Sequence, residues 1–287
     1  MIIIADGGST KTNWCLLNES GRKIHFNTEG YNPYFATTEY ITNSLRNNLP
    51  AHLELDKIKE VNYYGAGCST EANVKIVQKA MQAVFSKAKV YIGHDLLAAC
   101  RALLGVTQGF AAILGTGTNT CLYNGQEVSL NIDSLGYFLG DEGSGAYIGK
   151  RILRDYMRGY MPSKLQSLFE DTYKLSHEDI FDNLYNKPLP NRFCASFSKF
   201  IYDHTDSPEY TRQVVEDSFT EFFHSLVIHY PNYQQYTLNC VGSVGYSFRD
   251  ILSEVANKFE MGVGKIIRSP IDDLVHYHLV LSPSLSR

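Results

Sequence analysis

Short apolar runs that end in glycine-rich turns recur along the chain and predict β-strands. The first run is IIIAD, residues 2–6, which is followed by the turn GGST and a second apolar run, NWCLLN. The segment FAAILGTGTNTCLYNGQ, residues 110–126, repeats this order and ends in an Asn-Gly turn. Runs of this kind, bounded by glycine, are typical of hairpin strands. The pattern therefore predicts two hairpins in distant parts of the chain.

The two predicted hairpins also share sequence. TNWCLLN (12–18) and TNTCLYN (118–124) coincide at threonine, asparagine, cysteine, leucine and the final asparagine. Chance likeness between two hairpins of similar composition is one explanation. The other is an internal repeat, in which each half of the chain opens with a glycine-tipped hairpin, and we favour it.

Helical and strand-like segments alternate between the two hairpins. Apolar residues at helical spacing predict helices over 37–49, 69–87 and 96–105, and apolar runs predict strands over 59–67 and 89–95. The middle of the chain, from residue 150 to 230, is mostly helical in pattern. A late strand runs into Gly242 and Gly245 and precedes another helix. This order indicates an α/β protein.

Composition and charge narrow the class of protein. With 287 residues, 44% of them hydrophobic and 20% charged, the chain can fold as two domains. The net charge of -4 argues against broad electrostatic binding to nucleic acid, but backbone N–H groups can still bind an anion locally. No apolar run approaches the ~20 residues of a spanning helix, and the start of the chain lacks a basic leader. We expect a cytoplasmic protein with neither nucleic acid nor membrane as a partner.

The six cysteines, at positions 15, 68, 100, 121, 194 and 240, form no C-x-x-C pair. This spacing argues against a zinc ribbon and against thioredoxin chemistry. We expect buried, reduced thiols.

Both hairpin tips have the composition of a phosphate-binding turn. Glycine lets the backbone approach a ligand closely, and small hydroxyl residues add donors. Asp6 directly precedes the first tip, where its carboxylate could reach a magnesium ion. A plain turn remains the alternative for either tip alone. The candidate phosphate-binding residues are Gly7, Gly8, Ser9, Thr10, Lys11 and Thr12 in the first tip and Gly115, Thr116, Gly117 and Thr118 in the second.

Asp95 ends the predicted strand 89–95. Ligands of open α/β sheets gather beyond the carboxyl ends of strands, and a carboxylate there can accept a proton from an attacking hydroxyl. Aspartate is also a preferred N-cap, and a helix is predicted to follow. Local sequence leaves the two roles open, and His94 is expected to be structural.

A second acidic segment is LGDEGSGAYIGK, in which Asp141 and Glu142 stand between glycines. Two acids beside a glycine-rich turn suit the binding of hydroxyl groups or a metal ion. The alternative is an ordinary helix start, where the helix dipole favours acids. We favour a binding role, because a cap does not require the four glycines between Gly140 and Gly149.

Taken in order, these motifs resemble those of the actin-like ATPase superfamily, which includes sugar kinases and actin. ADGGSTKTNW and ILGTGTNTCL resemble its two phosphate motifs, GHDLLAACRALLG its connecting segment, and LNCVGSVGYSF its adenosine motif. SLGYFLGDEGSGAYIGKRIL, residues 134–153, is similar to the N-acetylglucosamine kinases and their relatives in the BadF/BadG/BcrA/BcrD-type ATPase family. EGYNPY and SPIDDLVHYH agree with that family, and the resemblance spans nearly the whole chain.

The resemblance implies two ribonuclease-H-like domains that flank a nucleotide cleft. Residues 1–107, joined by the C-terminal segment 270–287, would form the first domain. Residues 108–269, with a helical insertion, would form the second. The implied cofactors are ATP and Mg²⁺, and the implied reaction is phosphoryl transfer to a sugar hydroxyl, on an amino sugar such as N-acetylglucosamine. A homodimer is compatible with the family.

The resemblance also implies a role for each candidate residue. Asp6 would position the metal, the two tips would hold the phosphates, and Asp95 would be the general base beside the sugar. Gly242 and Ser243 would border the adenosine. The implied sugar-binding residues are Asn32, Asp95, Gly136, Asp141 and Glu142.

One position departs from the family pattern. Leu135 stands where the sugar kinases usually carry tryptophan. An aromatic surface for the sugar is therefore lost, or is supplied by Tyr137 or Phe138. This departure bears on the identity of the sugar more than on kinase activity.

Two other functions are compatible with these motifs. The first is an ATPase that activates a partner reductase or dehydratase through an iron–sulfur cluster, which requires cysteine thiolates. Cys121 lies within a predicted strand, and the GDEGSGAYIG region has no cysteine. The second is a non-catalytic nucleotide or sugar sensor, which has no need of a base at Asp95.

Overall fold

The computed structural model describes residues 1–8, 10–51, 53–204 and 208–281. The chain divides into two compact units, each with its own sheet and hydrophobic core. Unit 1 consists of Met1–Thr107, Gly125–Glu127 and Ser269–Arg287. Unit 2 consists of Gln108–Asn124 and Val128–Arg268.

Unit 1 is built on a five-stranded sheet. Its strands are β1 (Ile2–Gly7), β2 (Lys11–Leu17), β3 (Lys23–Glu29), β4 (Glu60–Gly65) and β5 (Lys89–His94). The first three strands form an antiparallel meander, and β4 and β5 run parallel to β1, so the order across the sheet is β3-β2-β1-β4-β5. The parallel strands end together, because Gly7 is paired with Gly65 and Gly65 with His94.

Three helices connect or follow these strands: α1 (Thr38–Asn48), α2 (Glu71–Val84) and α3 (Asp95–Leu104). The side chains of Thr37 and Thr70 cap α1 and α2 by accepting backbone N–H groups of the first turn, as small hydroxyl residues commonly do. α3 ends at Gly105, whose φ of 62° is the left-handed conformation that glycine adopts without strain.

The core of unit 1 surrounds the single tryptophan. Trp14 is fully buried, and its ring stacks on Phe26 at a centroid distance of 5.7 Å. Its Nε1–H donates to Thr28 Oγ1 at 2.9 Å, so the one polar atom of the indole is satisfied. Tyr63 and Phe85 pack against the same ring.

Unit 2 repeats this topology. Its strands are β6 (Gly109–Leu114), β7 (Thr118–Tyr123), β8 (Val128–Leu130), β9 (Thr237–Val241) and β10 (Gly262–Ile267). An antiparallel meander, β6-β7-β8, is again extended by two parallel strands on the other side of its first strand, in the order β10-β9-β6-β7-β8. The sheets confirm the predicted α/β class, and their shared topology supports the internal repeat.

The repeat also shows how the two hairpins differ. Asp6 is paired with Asn13 in the first hairpin, whereas Ile113 is paired with Asn119 in the second. The two asparagines occupy matching positions, so Ile113 is the counterpart of Asp6. At this position of the hairpin, unit 1 has an aspartate and unit 2 has an isoleucine.

Most of unit 2 outside its sheet is helical, as the pattern predicted. Its helices are α4 (Gly136–Leu139), α5 (Gly145–Met157), α6 (Ser163–Tyr173), α7 (His177–Tyr185), α8 (Pro190–Ser196), α9 (Ser198–Asp203), α10 (Pro208–Ser225), α11 (Ser243–Ser247) and α12 (Arg249–Lys258). The segments α4 to α10 all lie between β8 and β9, so they are an insertion into the repeated topology. No helix in the described part of the chain is long and apolar enough to cross a membrane.

The chain returns to unit 1 through α13 (Ile271–His276) and a π-helical turn, Tyr277–Leu281. Tyr64 on β4 is hydrogen-bonded to Nε2 of the buried His278 at 2.8 Å. The guanidinium of Arg101 on α3 bonds to the same tyrosine hydroxyl and lies 5.1 Å from the ring centroid of Tyr277. These contacts fasten α3 to both the sheet and the C-terminal segment.

A close helix contact in unit 2 makes a stability prediction. A Cβ at Gly149 on α5 would overlap with the carbonyl group of Cys194 on α8. We expect Gly149→Ala to lower the free energy of unfolding by about 1–3 kcal/mol through overpacking. The measurement is the urea unfolding midpoint. Gly262→Ala is the control, since its Cβ would meet Thr237 at an ordinary 3.5 Å. Equal midpoints for the two variants would contradict the prediction.

Candidate functional site

Two carboxylates lie at the carboxyl edge of the unit 1 sheet. Asp6 is the next-to-last residue of β1, and Asp95 directly follows β5 as the first residue of α3. Burial raises the pKa of Asp6 to about 7, partly opposed by a hydrogen bond from Asn13 and reinforced by the charge of Asp95. Burial likewise raises the pKa of Asp95, although His94 and the Leu96 N–H oppose the rise. The two acids are therefore close enough to interact electrostatically.

This pair has the chemistry of a partial magnesium site. No lysine or arginine bonds to either carboxylate among the described residues. The same residues contain no group of three or more His, Cys, Asp or Glu side chains that could hold a metal unaided. Mg²⁺ in phosphoryl-transfer sites is bound by one or two carboxylates together with water and substrate phosphates. The residues present fit such an ion.

The first glycine tip is shaped by the strand beneath it. A Cβ at Gly7 would overlap with the hydroxyl of Tyr63, so only glycine fits there. Gly8 N–H donates to Lys11 O at 2.9 Å and closes the turn. Thr10 and Lys11 are exposed, whereas Ser9 lies outside the described residues.

Thr12 faces away from the tip. Its side chain is fully buried, and Oγ1 donates to the carbonyl of Glu29 on β3 at 3.0 Å. Its side chain therefore joins two strands and is not presented to a ligand. Asn13, which the sequence did not single out, instead places its amide Nδ2 at 3.5 Å from Asp6 Oδ2.

The sequence left open whether Asp95 caps α3 or accepts a proton, and the structure shows which residue is the cap. His94 is the N-cap, and its Nδ1 accepts the Leu97 N–H at 3.2 Å. Asp95 Oδ1 accepts the neighbouring Leu96 N–H, at 2.9 Å. The cap is thus supplied by the histidine, which leaves the Asp95 carboxylate without a capping role.

Asn32 is held in a tight turn of unit 1. Its Oδ1 accepts the N–H of Tyr34 at 3.0 Å, and its carbonyl accepts the N–H of Phe35 at 2.9 Å. A side chain at Gly67 would overlap with Asn32 Oδ1, so glycine is required beneath it. The Nδ2 group has no partner among the described residues and is available as a donor.

The second tip, in unit 2, is docked on the start of α5. The carbonyls of Gly115 and Thr116 accept N–H groups of Gly145 and Ala146 at 2.8 and 3.0 Å. The N–H groups of Thr116 and Gly117 have no hydrogen-bond partner within the described chain. Adjacent unpaired N–H groups can bind an anion such as a phosphate.

The acidic turn and the second tip form one local structure. Asp141 is buried and has a left-handed backbone, with φ of 58°. Its Oδ1 accepts the Thr118 N–H at 3.0 Å and the Ser134 hydroxyl at 3.2 Å. Burial raises the pKa of Asp141, against the effect of these two hydrogen bonds and of Lys150. Thr118 Oγ1 donates to the carbonyl of Glu142 at 2.6 Å, so both acids are anchored to the tip.

The segment before this turn carries the departure from the family pattern. Leu135 and Gly136 both have positive φ, 57° and 64°, and Leu135 is exposed. Tyr137 turns inward, with its hydroxyl 3.6 Å from Cys194 Sγ and its ring centroid 4.9 Å from Lys150 Nζ. Phe138 is 82% exposed, so it has the freer aromatic face of the two.

A cavity of about 490 Å³ in unit 2 is lined by Ser243, at the start of α11, together with further residues of α8, α9 and α11. Gly242 precedes it with φ of 135°, and a side chain there would overlap with the carbonyl of Leu114. Lys199, Tyr202 and Arg268 also line this cavity. They come from the helical insertion and from the end of β10, and no spacing in the sequence indicated them.

All six cysteines are buried and free, as expected. Cys121 lies within β7 and is fully buried. The structure therefore presents it as a core residue.

No family model matches the chain. A solved structure from Porphyromonas gingivalis, provisionally named an N-acetylglucosamine kinase, is 39% identical, with a TM-score of 0.91 and coverage of 97% of this chain and 98% of that chain. The fold and the site motifs define an actin-like ATPase. The chain belongs to the N-acetylglucosamine kinase-like family within that superfamily.

More distant relatives agree with this assignment. An N-acetylmuramic acid/N-acetylglucosamine kinase of Clostridium acetobutylicum is 23% identical over 141 residues, 47% of this chain. The match spans about half, 46%, of that curated relative. MreB 5 of Spiroplasma citri, solved with AMPPNP, has a TM-score of 0.58 at 12% identity and covers 99% of this chain and 96% of that chain. At that identity the likeness concerns the fold alone.

The two candidate caps of α3 can be compared by substitution. We expect His94→Ala to lower the free energy of unfolding by about 0.5–2 kcal/mol, since it removes the N-cap. Asp95→Ala should cause no comparable loss. Burial has raised the pKa of Asp95, so its charged form at neutral pH disfavours the folded state relative to the unfolded one. Denaturant unfolding at pH 7 measures both, and a larger loss for Asp95→Ala would assign the cap to the aspartate.

Proposed function

We propose that this protein transfers the γ-phosphoryl group of ATP to a hydroxyl group of an amino sugar, with N-acetylglucosamine as the first candidate. The observation that carries the proposal is the placement of Asp95 at the sheet edge beside Asp6, with His94 as the cap of α3. A buried carboxylate that is not needed for capping is suited to accept a proton. Family membership supports a kinase, and the names of the Porphyromonas and Clostridium proteins support an amino sugar.

In this proposal the residues of unit 1 supply the acid–base chemistry. Asp95 accepts the proton of the attacking sugar hydroxyl, which makes that oxygen a better nucleophile. Asp6, oriented by Asn13, would hold Mg²⁺, which would supply positive charge to the phosphoryl group being transferred. The backbone of the Gly7–Gly8 turn holds phosphate, and Asn32 donates its free Nδ2–H to the sugar.

The residues of unit 2 supply nucleotide and sugar contacts. The unpaired N–H groups of Thr116 and Gly117 bind phosphate oxygens, which Asp141 assists by holding Thr118 in place. The 490 Å³ cavity beside Gly242 and Ser243 receives the adenosine. Glu142 and the Gly136 segment contribute to the sugar site.

Five finer points belong to this proposal. ATP is supported by the AMPPNP bound to the Spiroplasma protein of the same fold. Mg²⁺ is supported by the pair of uncompensated carboxylates, Asp6 and Asp95. A homodimer would give cover to the exposed apolar side chains of Leu135, Phe138 and Leu139. The cytoplasmic location and the domain limits 1–107 with 270–287, and 108–269, stay predictions.

The two other functions have less support. A cluster-bearing ATPase activator needs accessible thiolates, and all six cysteines are buried. Burial raises the pKa of Cys68, Cys194 and Cys240, which disfavours the thiolate that iron requires. A sensor without turnover does not account for a buried, non-capping carboxylate at Asp95.

The proton-accepting role of Asp95 makes a kinetic prediction. ADP release from Mg-ATP should depend on an added sugar, and Asp95→Asn should reduce the rate by about 100- to 10,000-fold, the usual contribution of general base catalysis. A coupled ADP assay with N-acetylglucosamine, N-acetylmuramic acid, N-acetylmannosamine and glucose measures the effect and ranks the sugars. Asp171→Asn, at an exposed aspartate of α6 in unit 2, is the matched control.

Near-normal turnover in Asp95→Asn would overturn the assignment of the base. ADP release that no sugar stimulates would instead favour the ATPase activator, and iron analysis would then decide.

The adenosine assignment makes a separate prediction about binding. Ser247 lines the 490 Å³ cavity, and a phenylalanine there would occupy space that the proposal gives to the adenine ring of ATP. We expect Ser247→Phe to weaken ATP binding by at least about 10-fold, as expected when a ligand group loses its apolar pocket. Equilibrium binding of ATP measures this. Ser163→Phe, on an exposed position of α6, is the control, and equal affinity in both variants would place the nucleotide elsewhere.

A further inference from the structure

Another large cavity of unit 2 is assigned no part in the proposed reaction. It has a volume of about 590 Å³ and lies between α5, α7 and α8, with Tyr137 on one side. It shares no lining residue with the cavity beside Ser243. Its size is within the range of small-molecule sites in proteins.

The lining of this cavity is positively charged. Lys150, Arg154 and Arg158 follow one another at intervals of one helical turn, the first two on α5 and Arg158 at its C-cap. His177, at the start of α7, also lines the cavity. Among the described residues that line it there is no aspartate or glutamate. Arg154 is paired with Asp155 at 3.3 Å, but Arg158 and His177 form no ion pair within the described chain. A protein with net charge -4 thus has a cavity of the opposite sign.

The other wall of the cavity is aromatic. Phe181 and Tyr185, one turn apart on α7, have ring planes inclined by 30° and ring centroids 6.1 Å apart. Their side chains are 51% and 76% exposed, which is unusual for large apolar groups on one helix face. Aromatic faces beside cations favour a ligand that combines a negative charge with an apolar or ring-shaped body.

The cavity is also connected to the acidic turn. Lys150 Nζ donates to the carbonyl of Tyr137 at 2.6 Å, and its charge acts on both Asp141 and Glu142. Tyr137 belongs to α4, which leads directly into that turn. A ligand that draws Lys150 into the cavity would loosen its bond to Tyr137.

We propose that this cavity binds an organic phosphate monoester, with the phosphate on Arg158 and His177 and the organic body against Phe181 and Tyr185. Lys150, Arg154 and Arg158 line the same cavity and together favour a dianion, and a phosphate monoester carries about -1.5 to -2 at neutral pH. Guanidinium groups also match phosphate geometry. A phosphorylated sugar and a nucleoside monophosphate share this chemistry.

Titration calorimetry tests the proposal on the full-length protein with N-acetylglucosamine 6-phosphate, AMP and inorganic phosphate as separate probes. We expect one of the two organic esters to bind at least about 10-fold more tightly than inorganic phosphate, since only the esters contact the aromatic wall. The ester that binds more tightly identifies the source. Its dissociation constant should rise about 10-fold or more in Arg158→Gln, which removes a charge-assisted hydrogen bond.

Two further variants locate the binding. Tyr185→Ala should weaken the ester but leave inorganic phosphate unchanged, because it removes only the aromatic wall. Arg22→Gln, an exposed arginine of unit 1, should change neither. Arg158, Arg22 and Tyr185 are all exposed, so the three variants should keep the wild-type unfolding midpoint. Binding that is absent, equal for inorganic phosphate, or insensitive to Arg158→Gln and Tyr185→Ala would overturn the proposal. Because the readout is affinity, it does not depend on phosphoryl transfer.

Discussion

The candidate site depends on tyrosine rings that pack against glycines at the carboxyl edge of the unit 1 sheet. Tyr63 is fully buried, and its ring fills the space that side chains at Gly7 and Gly65 would occupy. Tyr64 does the same at Gly93, where a Cβ would lie 2.8 Å from its ring. Because the rings fill the space beside these glycines, β1, β4 and β5 end side by side at the same edge of the sheet. Asp6 lies near the end of β1, and Asp95 directly follows β5. The pairing of the strands therefore sets the spacing of the two acids.

Burial of these acids is unfavourable for folding, and other contacts stabilise the helix that begins at Asp95. Both carboxylates have raised pKa values because burial disfavours their charge. His94 takes over the cap of α3, and Arg101 joins that helix to Tyr64 and the C-terminal segment. Titratable groups with raised pKa values at a sheet edge are typical of functional sites. Unit 2 has a comparable feature in Asp141, whose left-handed backbone and buried carboxylate are held by Thr118 and Ser134.

The hairpin that opens each unit could be predicted from the sequence. Strong apolar runs and glycine turns mark β1, β2, β6 and β7, and their pairing is local along the chain. The strands that sequence analysis missed have weaker signals. In β3 the residues Lys23, His25, Asn27 and Glu29 alternate outward, so polar positions mask the strand. In β10 the segment GVGKII has only a weak strand pattern because of its two glycines and its lysine, yet it pairs with β9 in parallel.

The sequence by itself determined the α/β class, the two glycine-tipped hairpins, and the acids at positions 6, 95, 141 and 142, because these depend on residue type and short-range spacing. Only the tertiary structure decided which way the side chains turn. It assigned the cap to His94, turned Thr12 toward β3, and joined Asp141 to the second tip across 23 positions of chain. It also formed the cavity beside Ser243 and the cavity beside His177 from separate helices. Such contacts arise from packing between elements that are distant in sequence, so they cannot be predicted from the spacing of residues along the chain.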